Sequence, residues 1–212
     1  MTKLVCEKTE ILEPKHPNKS TGIFTGVSSG ILNWNDLLYP QMHKIRTKIR
    51  DTFYVASTYE TELTEKLTKE EQDKLVDFLV MTQEVSNKTS VLESLATDPT
   101  LVSIMATMAD HSYEHIRSIL RIDRDLAFDN IELEEVEQPK NMKETLNLIK
   151  DITAQKEQIT KNMTSVKTKL QNKVIGIEKV VEHIIQDMEN HILFLNEIYK
   201  IGEQEAIEKG LI

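Results

Sequence analysis

A chain of 212 residues, 39% hydrophobic and 29% charged, is long enough for one domain with a sizeable core and too short for two ordinary domains without a visible linker. Its formal net charge of −9 and pI near 5.2 exclude nucleic acid or an anionic membrane as a partner held by bulk electrostatics. The lone Cys6 excludes an internal disulfide, and neither a membrane-length apolar run nor the apolar centre of a signal peptide occurs, so a soluble, cytoplasmic protein is expected.

Scarce punctuation, 6 Gly and 5 Pro, with Pro14, Pro17, Pro40 and Pro99 all ahead of residue 100, predicts long helices. Residues 1–33 carry Pro14, Pro17, Gly22, Gly26 and Gly30 without periodicity and read as an extended N-terminal arm; residues 34–212 read as a single helical domain. Asn33, Asn35 and Asp36 supply capping side chains to a helix marked by Leu38, Met42, Ile45, Ile49 and Phe53, with Trp34 as an anchor for the arm. Residues 55–67 read as a polar connection with room for a short helix. Thr68 to Glu71 form a capping box, opening a helix with a Leu75, Phe78, Leu79, Thr82, Val85, Ser86, Thr89 stripe that reaches about Leu95.

Asp98 as cap and Pro99 at the first helical position start the next helix, whose Leu101, Ile104, Met105, Met108, Ser112, Ile116 and Ile119 recur at helical spacing until near Arg124. Residues 125–139 are an acidic loop. From Asn141 to Lys173, the positions Met142, Leu146, Ile149, Ile152, Ile159, Met163, Val166 and Leu170 approximate heptads and call for partner helices. The last helix runs from Ile177 to about Lys200, with Gly202 as its cap and the remaining residues adding a turn or fraying. The sum is an all-α antiparallel helical bundle.

Four segments, FTGVSSGILNWNDLLYPQMHKIRTKIRDTFY, LTKEEQDKLVDFLVMTQEVSN, HSYEHIRSIL and VVEHIIQDMENHILFLNEIYKIG, occur in the order of the opening turn, first ligand helix, tyrosine helix and third ligand helix of a known family. Over residues 20–202 the chain resembles the small, radical-generating subunit of class I ribonucleotide reductase. The resemblance implies a ferritin-like bundle, here truncated, because the chain stops at Ile212 before the family's Arg-Asp-Glu helix and docking tail. It also implies that Tyr113 keeps the radical position, that Glu182 keeps one ligand position, and that the other ligand positions fall at Gln83, Ala106 and Ala109. With one acid left where two cations need four acids and two imidazoles, the dimetal iron or manganese site is read as lost and no cofactor or metal is expected.

Three functions follow as alternatives. The first is a non-catalytic binding or regulatory protein of deoxynucleotide synthesis, or a repurposed structural protein. It would be a homodimer through the apolar groove left by truncation, or a partner of the reductase large or full-length small subunit. The second is an enzyme component, a fragment of a split or metal-free small subunit with Tyr113 as radical carrier. The third is a small metal-binding bundle using His111, His115, His183 and His191, where His111 pairs with His115 and Asp187 with both His183 and His191 at i, i+4. By their pattern these side chains are expected to flank the core, with Gln83 and Glu182 bonding each other across it.

Overall fold

The computed structural model describes residues 59–126, 133 and 135–212. The arm and the helix expected over 34–54 lie outside the described residues. Four helices, α1 (Lys69–Leu95), α2 (Pro99–Ile122), α3 (Met142–Leu170) and α4 (Ile177–Glu208), are joined by a two-stranded ribbon of β1 (Glu62–Leu63) and β2 (Val174–Ile175).

The helix starts follow from local chemistry. Thr68 accepts from the Glu71 N–H while the Glu71 carboxylate accepts from the Thr68 N–H, closing the capping box. The Asp98 carboxylate accepts from the N–H groups of Thr100 and Leu101, and Pro99 occupies the first turn. Asn141 caps Glu144, whose own carboxylate reaches back to the Lys140 N–H. Gly176, which leads into α4, has φ +82, and a Cβ there would run into the Glu60 carbonyl. That close approach lets β1 pair antiparallel with β2, Glu62 opposite Ile175 and Leu63 opposite Val174.

All neighbouring helices are antiparallel. Gln72 near the start of α1 bonds Asp123 at the end of α2. Lys169 and Lys88 pair α3 with α1 through Glu70 and Asp151, and Lys167 pairs it with α4 through Glu182. His111 and His115 meet His191 and Asp187 to join α2 to α4. The two ends linked by residues 123–141 therefore lie at opposite ends of the bundle. Phe78, Leu92, Leu101, Met105, Ile149, Ile159, Met163, Phe194 and Leu195, all fully buried, fill the interior.

Three expectations are corrected. Residues 59–67 contain a short strand instead of a helix, because Gly176 brings the chain close enough to pair. The last helix does not stop at Gly202, which is buried within α4; Glu205 and Ala206 beyond it are buried too. The helix ends at Glu208 and is closed by Gly210, φ +63, where the N–H groups of Gly210 and Leu211 bond back to the carbonyls of Ile207 and Ala206. Finally, the buried face of α4 takes in Asp187 and His191, which were expected at its flank, together with Phe194, while Ile185 and Ile192 are half-buried.

Candidate metal centre

In a bundle, the residues at alternating three- and four-residue steps on one face enter the core. On α2 this stripe runs Met108, His111, His115, Ile119, Ile122, and on α4 it runs Val180, Ile184, Asp187, His191, Leu195, Ile198. Three histidines and a carboxylate thus occupy core positions, and His183 joins them one turn before Asp187. His111, His115, His183, Asp187 and His191 are all buried, so the expectation that they flank the core is overturned. The α2 and α4 stripes face one another, and the polar positions come at the same level.

The polar seam is continuous. His115 Nε2 donates to Asp187 Oδ2 at 2.9 Å, and His183 Nε2 lies 3.0 Å from the same oxygen, at hydrogen-bond distance but without hydrogen-bond alignment. His111 Nδ1 is 3.6 Å from Asp187 Oδ2 and 3.1 Å from His191 Nε2, with the His111 and His191 rings stacked. Tyr59 tilts against the outer side of His183. From α3, the fully buried Lys156 places Nζ 3.2 Å from His191 Nδ1 and 3.8 Å from Met188 Sδ. An ammonium can only donate, so His191 Nδ1 accepts, and its Nε2 carries the proton that it donates to His111 Nδ1.

Burial dominates the charges here. It pulls the His111 imidazole down to about 4, against the opposing pull of Asp187, and lowers His115 and His191 as well. Lys156 is brought down to about 7 by burial, again opposed by Asp187. Burial would raise the Asp187 carboxyl, but the hydrogen bond from His115, the close His183 ring and the surrounding imidazoles hold it well below the usual carboxylate range. Near neutral pH the imidazoles of His111, His115 and His191 are therefore uncharged beside one carboxylate, with Lys156 the counter-charge.

Several polar atoms in this seam are left over. His115 Nδ1, Asp187 Oδ1 and Asn190 Nδ2 are buried and have no hydrogen-bond partner among the described residues. Buried polar atoms are normally satisfied, and a cluster of exceptions calls for an explanation. Donor atoms of His115, His183 and Asp187 lie within 4.8 Å of one another. Two ligands bound at about 2.1 Å and at right angles stand about 3.0 Å apart. The His115 and His183 contacts to Asp187 Oδ2, at 2.9 and 3.0 Å, have that spacing.

The positions inherited from the reductase resemblance do not converge. Tyr113 is 50% exposed on the outer side of α2. Glu182 faces solvent and pairs with Lys167 at 2.6 Å, while Gln83 donates to Asn87 on its own helix, so the expected Gln83 to Glu182 bond is absent. Ala106 is half-buried and Ala109 buried. Lys156 escaped the sequence reading, although it occupies the core step between Ile152 and Ile159 in an otherwise regular heptad. A lysine at such a step is the signal that could have found it. No protein-family model, curated protein or solved structure matches this chain.

Proposed function

We propose that the chain is a metal-binding helical bundle that holds one divalent transition-metal ion between α2 and α4 on His115, His183 and Asp187. The observation that carries it is the convergence of these buried donors around one carboxylate oxygen, with unsatisfied polar atoms beside them. Two imidazoles and one carboxylate favour zinc, iron, cobalt or nickel over calcium or magnesium, which take oxygen ligands. The depressed His115 keeps its ring uncharged and free to coordinate at neutral pH. A single buried acid supports one cation; a pair would leave several positive charges uncompensated. The proposal replaces the expectation that the bundle holds no metal.

We read the fold as ferritin-like. One connection that joins opposite ends of the bundle, with antiparallel neighbours throughout, is the arrangement of such bundles and accords with the reductase resemblance. On this reading the site is displaced from the family's ligand positions, and Tyr113 has no radical role. A second role, contact with a reductase subunit or another copy of the chain, is supported by the large apolar side chains left on the surface at Tyr113, Leu193 and Ile207. Co-purification tests it.

Metal analysis of the purified chain and titration with Co2+ and Zn2+ test the primary reading. One equivalent is expected to bind, Asp187→Asn is expected to weaken binding by about 100-fold or more, and Tyr113→Phe to leave it unchanged. Absence of binding, or equal binding by Asp187→Asn, overturns it.

A further inference from the structure

We propose that Lys156 is the built-in competitor of the metal ion: its ammonium and a divalent cation at His115, His183 and Asp187 exclude one another, so loading the site drives a proton off Lys156. The proposal rests on the metal-binding reading above and adds its regulation.

The geometry makes Lys156 a poorly held cation. Among the described residues its Nζ bonds only His191 Nδ1 and Met188 Sδ, an uncharged ring nitrogen and a weak thioether acceptor, and neither belongs to the ligand set. Among the described residues no carboxylate lies within ion-pair distance of it. Asp187, the one acid of the cluster, is turned towards His115 and His183. A protonated Lys156 balances Asp187, one positive charge against one negative. A divalent ion raises the total to two positive charges, and to one if Lys156 gives up its proton. Uncompensated charge in a core is costly, so the second state is favoured.

The network also permits the loss. A neutral amine still has two N–H groups, so it continues to donate to His191 Nδ1 and the hydrogen bond from His191 to His111 is undisturbed. Asp187 is the group that opposes burial and keeps the proton on Lys156. A cation bound to Asp187 cancels that support.

The other groups around Lys156 do not take over its role. From α4 it faces Asp187 and His191, and from α2 His111 and His115; burial holds all three imidazoles low. The charged residues of α1 at this level, Glu84 and Lys88, are engaged with Gln155 and Asp151 at the edge of α3. Linkage is reciprocal: if the ion expels the proton, the proton weakens the ion's binding by the same factor.

Titration of the full chain with Co2+, followed by its visible absorption, tests this in the wild type, Lys156→Met and Lys156→Arg. At about pH 6, Lys156→Met is expected to bind about tenfold more tightly than the wild type, and at about pH 8 the two should agree. Lys156→Arg, which stays charged, is expected to bind more weakly than the wild type at both. Calorimetry in buffers of different ionisation enthalpy should show about one proton fewer released per ion by Lys156→Met than by the wild type near pH 6. Identical pH profiles for wild type and Lys156→Met overturn the competitor role and leave the metal site standing. No Co2+ binding by the wild type at about pH 8 overturns the metal reading, and this proposal with it.

Discussion

Two helix seams of the bundle handle charge in opposite ways. Between α1 and α3, the pairs Lys169 with Glu70 and Lys88 with Asp151 sit along the rim. Between α2 and α4, His111, His115, His183, Asp187 and His191 are buried, and Lys156 joins them from α3. Water solvates the rim charges before and after folding, so pairing them changes little. The core charges lose their water on folding and depend on one another instead. The first arrangement tolerates substitution; the second imposes geometry, which is what a binding site requires.

Removing Asp187 should break this comparison most severely. In Asp187→Ala the buried His115 N–H loses its acceptor and Lys156 the counter-charge that keeps its proton, and a cost of about 3–5 kcal/mol is expected in urea unfolding at neutral pH without metal. The double variant Asp187→Ala with Lys156→Met should recover much of that loss, because two charges vanish together. Additive losses in the two single variants would show that the charges are not coupled.

Acid should separate the seams next. The folded pKa of His111 is depressed, so the unfolded chain binds its proton first and stability falls as pH drops from about 6.5 towards 4. A shift of that size corresponds to about 3 kcal/mol from this one group, with His115 and His191 adding in the same direction. Lys156 works at higher pH: stability should rise between about pH 7 and 10.5 as the unfolded chain gives up the proton that the folded core holds weakly. Unfolding free energy measured across this range checks both slopes, and a flat profile from pH 7 down to 4 would contradict the buried, uncharged imidazoles.

The legibility of the sequence divides along the same line. Helix starts at Thr68, Asp98 and Asn141 could be read because a cap is local chemistry, complete within four residues. The stripe of α1, including the polar Thr82, Ser86 and Thr89, was legible for the same periodic reason. The centre was not, because a histidine or lysine in a core stripe is permitted only by partners on other helices. His111 needs His191, eighty residues away, and Lys156 needs His191 from across the α3–α4 interface. Hydrophobic periodicity skips such positions, and so placed them at the edge of the face. Gly202 misled in the other direction, as a helix-ending residue type within a turn whose neighbours Glu205 and Ala206 are buried.

Caps should give a smaller effect than either core test. Asp98→Ala removes the acceptor for two N–H groups at the head of α2, the helix that carries His111 and His115, and about 1 kcal/mol is expected. Because the loss lies three turns from His111, metal affinity should change little. A large drop in affinity would mean that the α2 stripe shifts along its axis when its first turn loosens.

The rim provides the smallest effect and the control for all the others. Lys169→Ala removes a partner that, with Lys74, holds the Glu70 carboxyl down to about 2 through hydrogen bonds, yet both side chains remain in water. The carboxylate that loses Lys169 keeps Lys74 at 3.0 Å and its hydration, so no buried charge is left behind. The unfolding midpoint is expected to match that of the wild type, and any residual difference to disappear in about 0.5 M salt, where charges are screened within a few ångströms. The Asp187→Ala loss should survive the same salt, because ions do not enter the core. If salt erased both differences alike, the α2–α4 seam would be open to water, and its histidines would be rim residues like the lysines of α3.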